Sequence, residues 1–181
     1  MIDSGLPTEL IVNGIPKRIN WDFRDVREII IAMNDDELSD EEKGFVLLTN
    51  LYVDDLSDVD LQEAIKQGLW FLDWGKSYDS DKNSPRILDW NKDYEYICSA
   101  VNKSVKTAED CRELENMHWW TFLGKFAERG KCYMSTILEL RDKMARGKKL
   151  DKWENEMINN NPQDFLLDYD KTNEIDKELW G

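Results

Sequence analysis

The sequence predicts a mainly α fold, a single-domain helical bundle of five to seven helices carrying a small N-terminal β-hairpin. Three observations predict it. Apolar residues recur at helical spacing through most of the 181 residues. Capping signals precede several of those runs. One Asn-Gly pair, flanked by short strand-like segments, stands near the start.

The elements follow in order. Thr8–Val12, Asn13-Gly14 and Ile15–Asn20 read as a hairpin within residues 6–20, because Asn-Gly readily supplies the two positive φ angles of a type I′ turn. Pro16 demotes the second strand to an edge. A two-stranded hairpin is marginal alone, so it is expected to pack on the helix that follows or on a partner. That helix carries Phe23, Val26, Ile30 and Met33 on one side and dissolves at Asn34-Asp35-Asp36. Ser39-Asp40-Glu41-Glu42 has capping-box spacing for a helix through Leu51, and a second start falls at Ser57 or Asp58. The helix after it places Leu61, Ile65, Leu69 and Leu72 on one face and Trp70 with Trp74 on nearly the opposite one, until Gly75 ends it. A polar, breaker-rich loop then leads to Asp89, the expected cap of a helix lined by Trp90, Tyr94, Ile97 and Val101.

The segment Leu114–Glu128 is the most informative piece of the chain. As a helix it sets Trp119, Phe122, Leu123 and Phe126 on one face and Leu114, Met117 and Trp120 on another, so it must be covered on more than one side. Trp119, Phe122 and Phe126 are the expected core. Trp70, Trp74 and Trp120 are the candidate partner-binding residues, since Trp is enriched among interface anchors. A further helix groups Tyr133, Ile137, Leu140 and Met144 and ends in Arg141, Lys143, Arg146, Lys148 and Lys149, cations suited to a helix C-terminus. Residues 1–147 therefore form the expected helical domain. Residues 148–181 hold a short helix around Trp153, Met157 and Ile158, stopped by Asn159-Asn160-Asn161-Pro162, and an acidic, loosely attached tail.

Charge and cysteine usage exclude several function classes. A formal net charge of -14 opposes contact with nucleic-acid phosphates or anionic lipid and keeps the chain soluble. Cys98, Cys111 and Cys132 form no CxxC pair, and an odd count suits a reducing compartment. The opening MIDSGLPTEL has no signal-peptide pattern, and no apolar run approaches the ~20 residues of a membrane span. The single histidine, His118, lies on the central helix with no ligand partner at helical spacing, and reads as a core or boundary residue hydrogen-bonded to a carbonyl. Asp79, Asp81 and Asn83 copy the start of a calcium loop, but Ser84 stands at the required Gly and Trp90 at the bidentate Glu. No phosphate loop, nucleophile elbow, dinucleotide fingerprint or HExxH occurs. The expectation is a non-enzymatic protein with no cofactor and no metal, whose melting temperature neither zinc nor calcium raises.

Several segments in order resemble one family: LPTELIVNGIPKRINWDFR, LSDEE, LWFLDWGK, ILDWNKDYEYICSAV and LENMHWWTFLGKFAE. Over about Leu6 to Met144 the chain is similar to the bacteriophage family named for gene product fifteen of its founding phage, encoded among tail genes of long-tailed phages and prophages. The resemblance implies a small, mainly helical, non-enzymatic protein of tail assembly, like the chaperones that keep the tape measure protein soluble until tail-tube subunits polymerise around it. It implies action in the bacterial host cytoplasm, scarcity in the mature virion, and partners that are the tape measure or other tail proteins, alongside self-association. After Gly147 the chain departs from the family by turning acidic. Two rival classes stand beside this reading. One is a structural tail or connector subunit that uses its hairpin to extend a neighbour's sheet; the other is an acidic anti-host protein of the DNA-mimic type, opposed by the mixing of Lys with Asp and Glu along most helices.

Overall fold

A computed structural model describes residues 5–76, 85–104 and 116–167. The fold is mainly α, with eight helices among the described residues and one two-stranded antiparallel hairpin. The chain forms two compact units, one from residues 1–80 and 105–128 and the other from 81–104 and 129–181. The sequence reading set its one boundary at 147, where charge changes sign. Packing divides the chain elsewhere, because a charge shift marks surface composition and not which helices share a core.

In the first unit, β1 (Glu9–Val12) and β2 (Ile15–Arg18) pair with Leu10 opposite Lys17 and Val12 opposite Ile15. Asn13 at φ 50° and Gly14 at φ 81° make the turn, as the Asn-Gly pair requires. Leu10, Val12 and Ile19 are buried. The hairpin packs through β1 on α3 (Leu61–Leu72). Its turn is tied there by the Asn13 side-chain oxygen, which accepts from the Asp60 amide at 2.8 Å. Lys17 lies buried and donates to the Asp55 carbonyl and the Asp58 carboxylate, which fixes the loop ahead of α3.

Helix α1 (Phe23–Met33) is capped by Asp22 and ends at Asn34; Phe23, Val26 and Ile29 are its buried residues. Helix α2 (Asp40–Leu51) carries the Ser39–Glu42 capping box in full and buries Gly44, Leu47 and Leu51. Helix α3 departs from expectation in two ways. Its N-cap is Asp60, which accepts from the amides of Gln62 and Glu63, and not Ser57 or Asp58. Its buried stripe is Ala64, Gly68, Phe71 and Leu72, whereas Leu61 is exposed and Ile65 and Leu69 are half-buried. The reason is close packing on α2. A Cβ at Gly68 would lie 2.6 Å from Leu47 Cδ2, so the small residues mark where the two helices meet.

The second unit holds α4 (Tyr94–Asn102), α6 (Tyr133–Ala145), α7 (Lys152–Asn160) and α8 (Pro162–Phe165). Asp89 caps only the turn before α4, accepting from Asn91 and Lys92, and Asp93 takes the N-cap position. On α6 the buried residues are Met134, Ile137, Leu140 and Arg141; Tyr133, expected on that face, is exposed, with its hydroxyl on Asp164. Arg141 was expected to serve the helix C-terminus. It is instead 3% exposed, against an Asp93 that is 1% exposed. Its five N–H groups reach both Asp93 carboxylate oxygens and the carbonyls of Ile87, Asp164 and Phe165. Residues 161–167, which the sequence placed at the start of a loose tail, are thereby held, and Phe165 and Leu167 are buried. Residues 168–181 lie outside the described residues.

Candidate aromatic docking site

The site is built where the end of α3 meets α5 (Trp119–Ala127), both in the first unit. The expected helix over 114–128 begins only at Trp119, with Leu114 outside the described residues and Met117 ahead of the helix. What precedes it is extended and pairs with the start of α1. Phe23 N–H donates to the Met117 carbonyl at 3.0 Å and Trp119 N–H to the Trp21 carbonyl at 2.8 Å.

His118 is the N-cap of α5, correcting its placement within a helix. Its Nδ1 accepts from the Trp120 amide at 3.0 Å, so Nε2 carries the proton and donates to the Pro7 carbonyl at 2.9 Å. The ring stacks on Trp21 at 5.7 Å and meets Phe71 edge-on at 5.8 Å. Burial holds the imidazole below its ordinary value of 6.5, with the Pro7 carbonyl pulling weakly the other way. A proton on Nδ1 would oppose the Trp120 N–H. The unfolded chain therefore binds that proton more readily than the folded one. The stability His118 contributes is present above pH 6.5 and is lost as pH falls through the lower folded value. We expect His118→Ala to lower stability at neutral pH by about 0.5–2 kcal/mol and to flatten the decline just below that pH. Urea titrations of both proteins between neutral pH and the carboxylate range check this; parallel curves would refute it.

The two neighbouring indoles close the end of α3. Trp119 Nε1–H donates to the Leu72 carbonyl and Trp120 Nε1–H to the Phe71 carbonyl, both at 2.9 Å; the first satisfies an acceptor that the helix C-terminus leaves open, and the second joins the Trp74 amide at 3.3 Å on the same oxygen. Trp119 and Phe122 are buried, as expected of core residues, while Phe126 in the last turn is half-buried. Trp120 is half-buried and meets Trp70 edge-on at 5.4 Å. After Asp73 the chain turns through two left-handed residues, Trp74 at φ 57° and Gly75 at φ 73°. Gly75 is needed there twice over, because a Cβ would lie 3.0 Å from Trp120 and 3.2 Å from Trp70. A bulky residue with positive φ is unusual, and it turns Trp74 outward, 39% exposed, with the Lys76 ammonium 5.7 Å over its ring.

Of the three residues read from sequence as partner-binding, the structure brings Trp70 and Trp120 into contact, whereas exposed Trp74 lies in the adjoining turn without a ring contact to either. Sequence reasoning missed Trp21 and Phe71; Phe71 and His118 meet Trp120, Trp21 stacks on His118, and His118 is the buried, carbonyl-bonded histidine the sequence leads one to expect. Beside it, Leu6, Thr8, Trp21, Asn116, Met117, His118 and Thr121 line a shallow cleft of about 240 Å³. Both nitrogens of its one titratable group are occupied. Among the described residues no group of His, Cys, Asp or Glu could hold a metal ion, and no helix is long and apolar enough to cross a membrane. The calcium-loop near-match at Asp79, Asp81 and Asn83 lies outside the described residues.

Fold and site define a small, mainly helical protein with indoles gathered at the end of one helix. The chain matches the family model for the Bacteriophage Gp15 protein over residues 2–163, and it belongs to that family. The match runs past Gly147, where the acidic turn of the sequence had marked a departure. No curated protein and no solved structure matches the chain.

Proposed function

We propose that this phage protein is a tail-assembly chaperone-like factor that binds the tape measure, or other tail components, in the host cytoplasm and is scarce in the mature particle. One observation carries the reading: Trp70 and Trp120 meet edge-on while half-buried, and Trp74, just past the end of the same helix as Trp70, is exposed and held in a left-handed backbone conformation. Such a surface suits the apolar stripe of an amphipathic helix, and the net charge of -14 keeps a complex dispersed. The role proposed is non-catalytic and needs no cofactor.

Co-expression with a phage tape measure protein tests the proposal. Trp70→Ala/Trp74→Ala is expected to remain folded by its melting curve, yet to weaken capture by about 2 kcal/mol or more. A folded double variant that captures the partner as well as wild type would overturn the assignment.

A further inference from the structure

The two edges of the hairpin are treated differently. Ile19 N–H donates to the Thr8 carbonyl at 3.0 Å, so the alternation of an antiparallel ladder makes Leu10–Lys17 and Val12–Ile15 the other hydrogen-bonded pairs. The main-chain groups of Pro16 and Arg18 then point away from β1, and those of Glu9 and Ile11 point away from β2. The β2 edge is closed: Pro16 has no N–H, Arg18 N–H donates to Asp54 at 2.7 Å, and the Arg18 carbonyl accepts from Val53 at 3.0 Å. On the β1 edge no described residue bonds the main chain of Glu9 or Ile11, and the Ile11 side chain is 54% exposed. A bare strand edge of this kind is a template for another strand.

We propose that the β1 edge receives an extended segment of a second protein, one that sets a Lys or Arg beside Glu9 and an apolar residue beside Ile11. Charge selects this occupant. Arg18, opposite Glu9, is committed to Asp54 through Nε at 2.9 Å and Nη2 at 2.6 Å, so among the described residues no cation pairs with the Glu9 carboxylate. A second copy of the chain fits poorly. Two-fold pairing about Leu10 would set both Glu9 carboxylates on one face as diagonal neighbours, between molecules that each carry a net charge of -14. The β1 edge shares no residue with the indole site, and an extended segment docks there by main-chain bonds where a helix docks by its apolar stripe.

Amide exchange followed by NMR on the full chain tests this, with a short synthetic peptide alternating Lys and Val as the probe. In the free protein the Glu9 and Ile11 amides are expected to exchange fast while those of Leu10, Val12 and Ile19 are protected. The peptide is expected to slow Glu9 and Ile11 about tenfold or more, and a peptide alternating Glu and Val to leave them unchanged. Ile11→Pro, which an edge strand tolerates, removes the outward N–H and the apolar side chain and is expected to abolish the protection of Glu9; Glu9→Lys, which keeps every N–H, is expected to reverse the preference between peptides. Trp70→Ala/Trp74→Ala is expected to leave the protection intact, so a failure here leaves the indole assignment standing. Equal protection by both peptides, or binding that leaves Glu9 and Ile11 unprotected, would overturn the proposal.

Discussion

Asp93→Asn is expected to lower the stability of the protein by about 3–5 kcal/mol, a large fraction of the about 5–15 kcal/mol that holds a native domain together. The substitution keeps the side chain's shape and removes its charge, so it isolates the ion pair from packing. Arg141 would remain buried with a cation facing an amide, and water cannot reach it to compensate. Asp93 Oδ2 also accepts from the Asp89 amide at 2.9 Å, which ties the turn before α4 to the same carboxylate. Loss should therefore spread to the carbonyls that Arg141 holds at Ile87, Asp164 and Phe165. Urea unfolding measures it. The deficit should persist in high salt, because a buried pair is poorly screened, unlike the exposed Arg18–Asp54 pair. A loss below about 1 kcal/mol would show a pair that behaves as a solvated one.

That ion pair also shows where reading the sequence stops. Arg141 stands among other cations near the end of an amphipathic run, and every local rule assigns it to solvent and the helix dipole. Its partner lies 48 residues earlier, and no periodicity connects them. Features whose cause is local were legible. The capping box at Ser39–Glu42 and the Asn13-Gly14 turn occur as expected, because each is specified within four residues. Helix faces were legible only in part. On α3 the large apolar residues suggested a face through Leu61 and Ile65, but Gly68 set the contact by letting α2 approach, and a glycine carries no hydrophobic signal. The start of α5 was missed for another reason. Histidine is not among the preferred N-caps, so the apolar run alone predicts a helix from Leu114, whereas the chain at His118 is still extended. The candidate site followed the same pattern. Spacing sets Trp70 and Trp74 off the face of Leu61, Ile65 and Leu72, whereas the positive φ of Trp74, which is 39% exposed, depends on the turn into Gly75.

Trp119 and Trp74 should respond to truncation in opposite ways, and Trp119→Ala carries the second large effect, a loss of about 3–5 kcal/mol. Trp119 is 2% exposed, stacks on Phe122 at 5.7 Å, and sends its indole N–H to Leu72. Two costs are combined there, a cavity and an orphaned helix carbonyl, and a second variant separates them. Trp119→Phe fills most of the space but cannot donate, so its cost should be nearer the about 1–3 kcal/mol of an unsatisfied buried acceptor. Trp74 makes no such bond to lose, and its indole is the exposed one. Thermal and urea unfolding of the Trp119 variants beside Trp74→Ala decides the matter. If Trp119→Ala melts like wild type, the indole caps nothing of consequence at the end of α3. If Trp74→Ala instead collapses the fold, the exposed indole is structural, and the surface offered to a helical partner must lie elsewhere on the first unit.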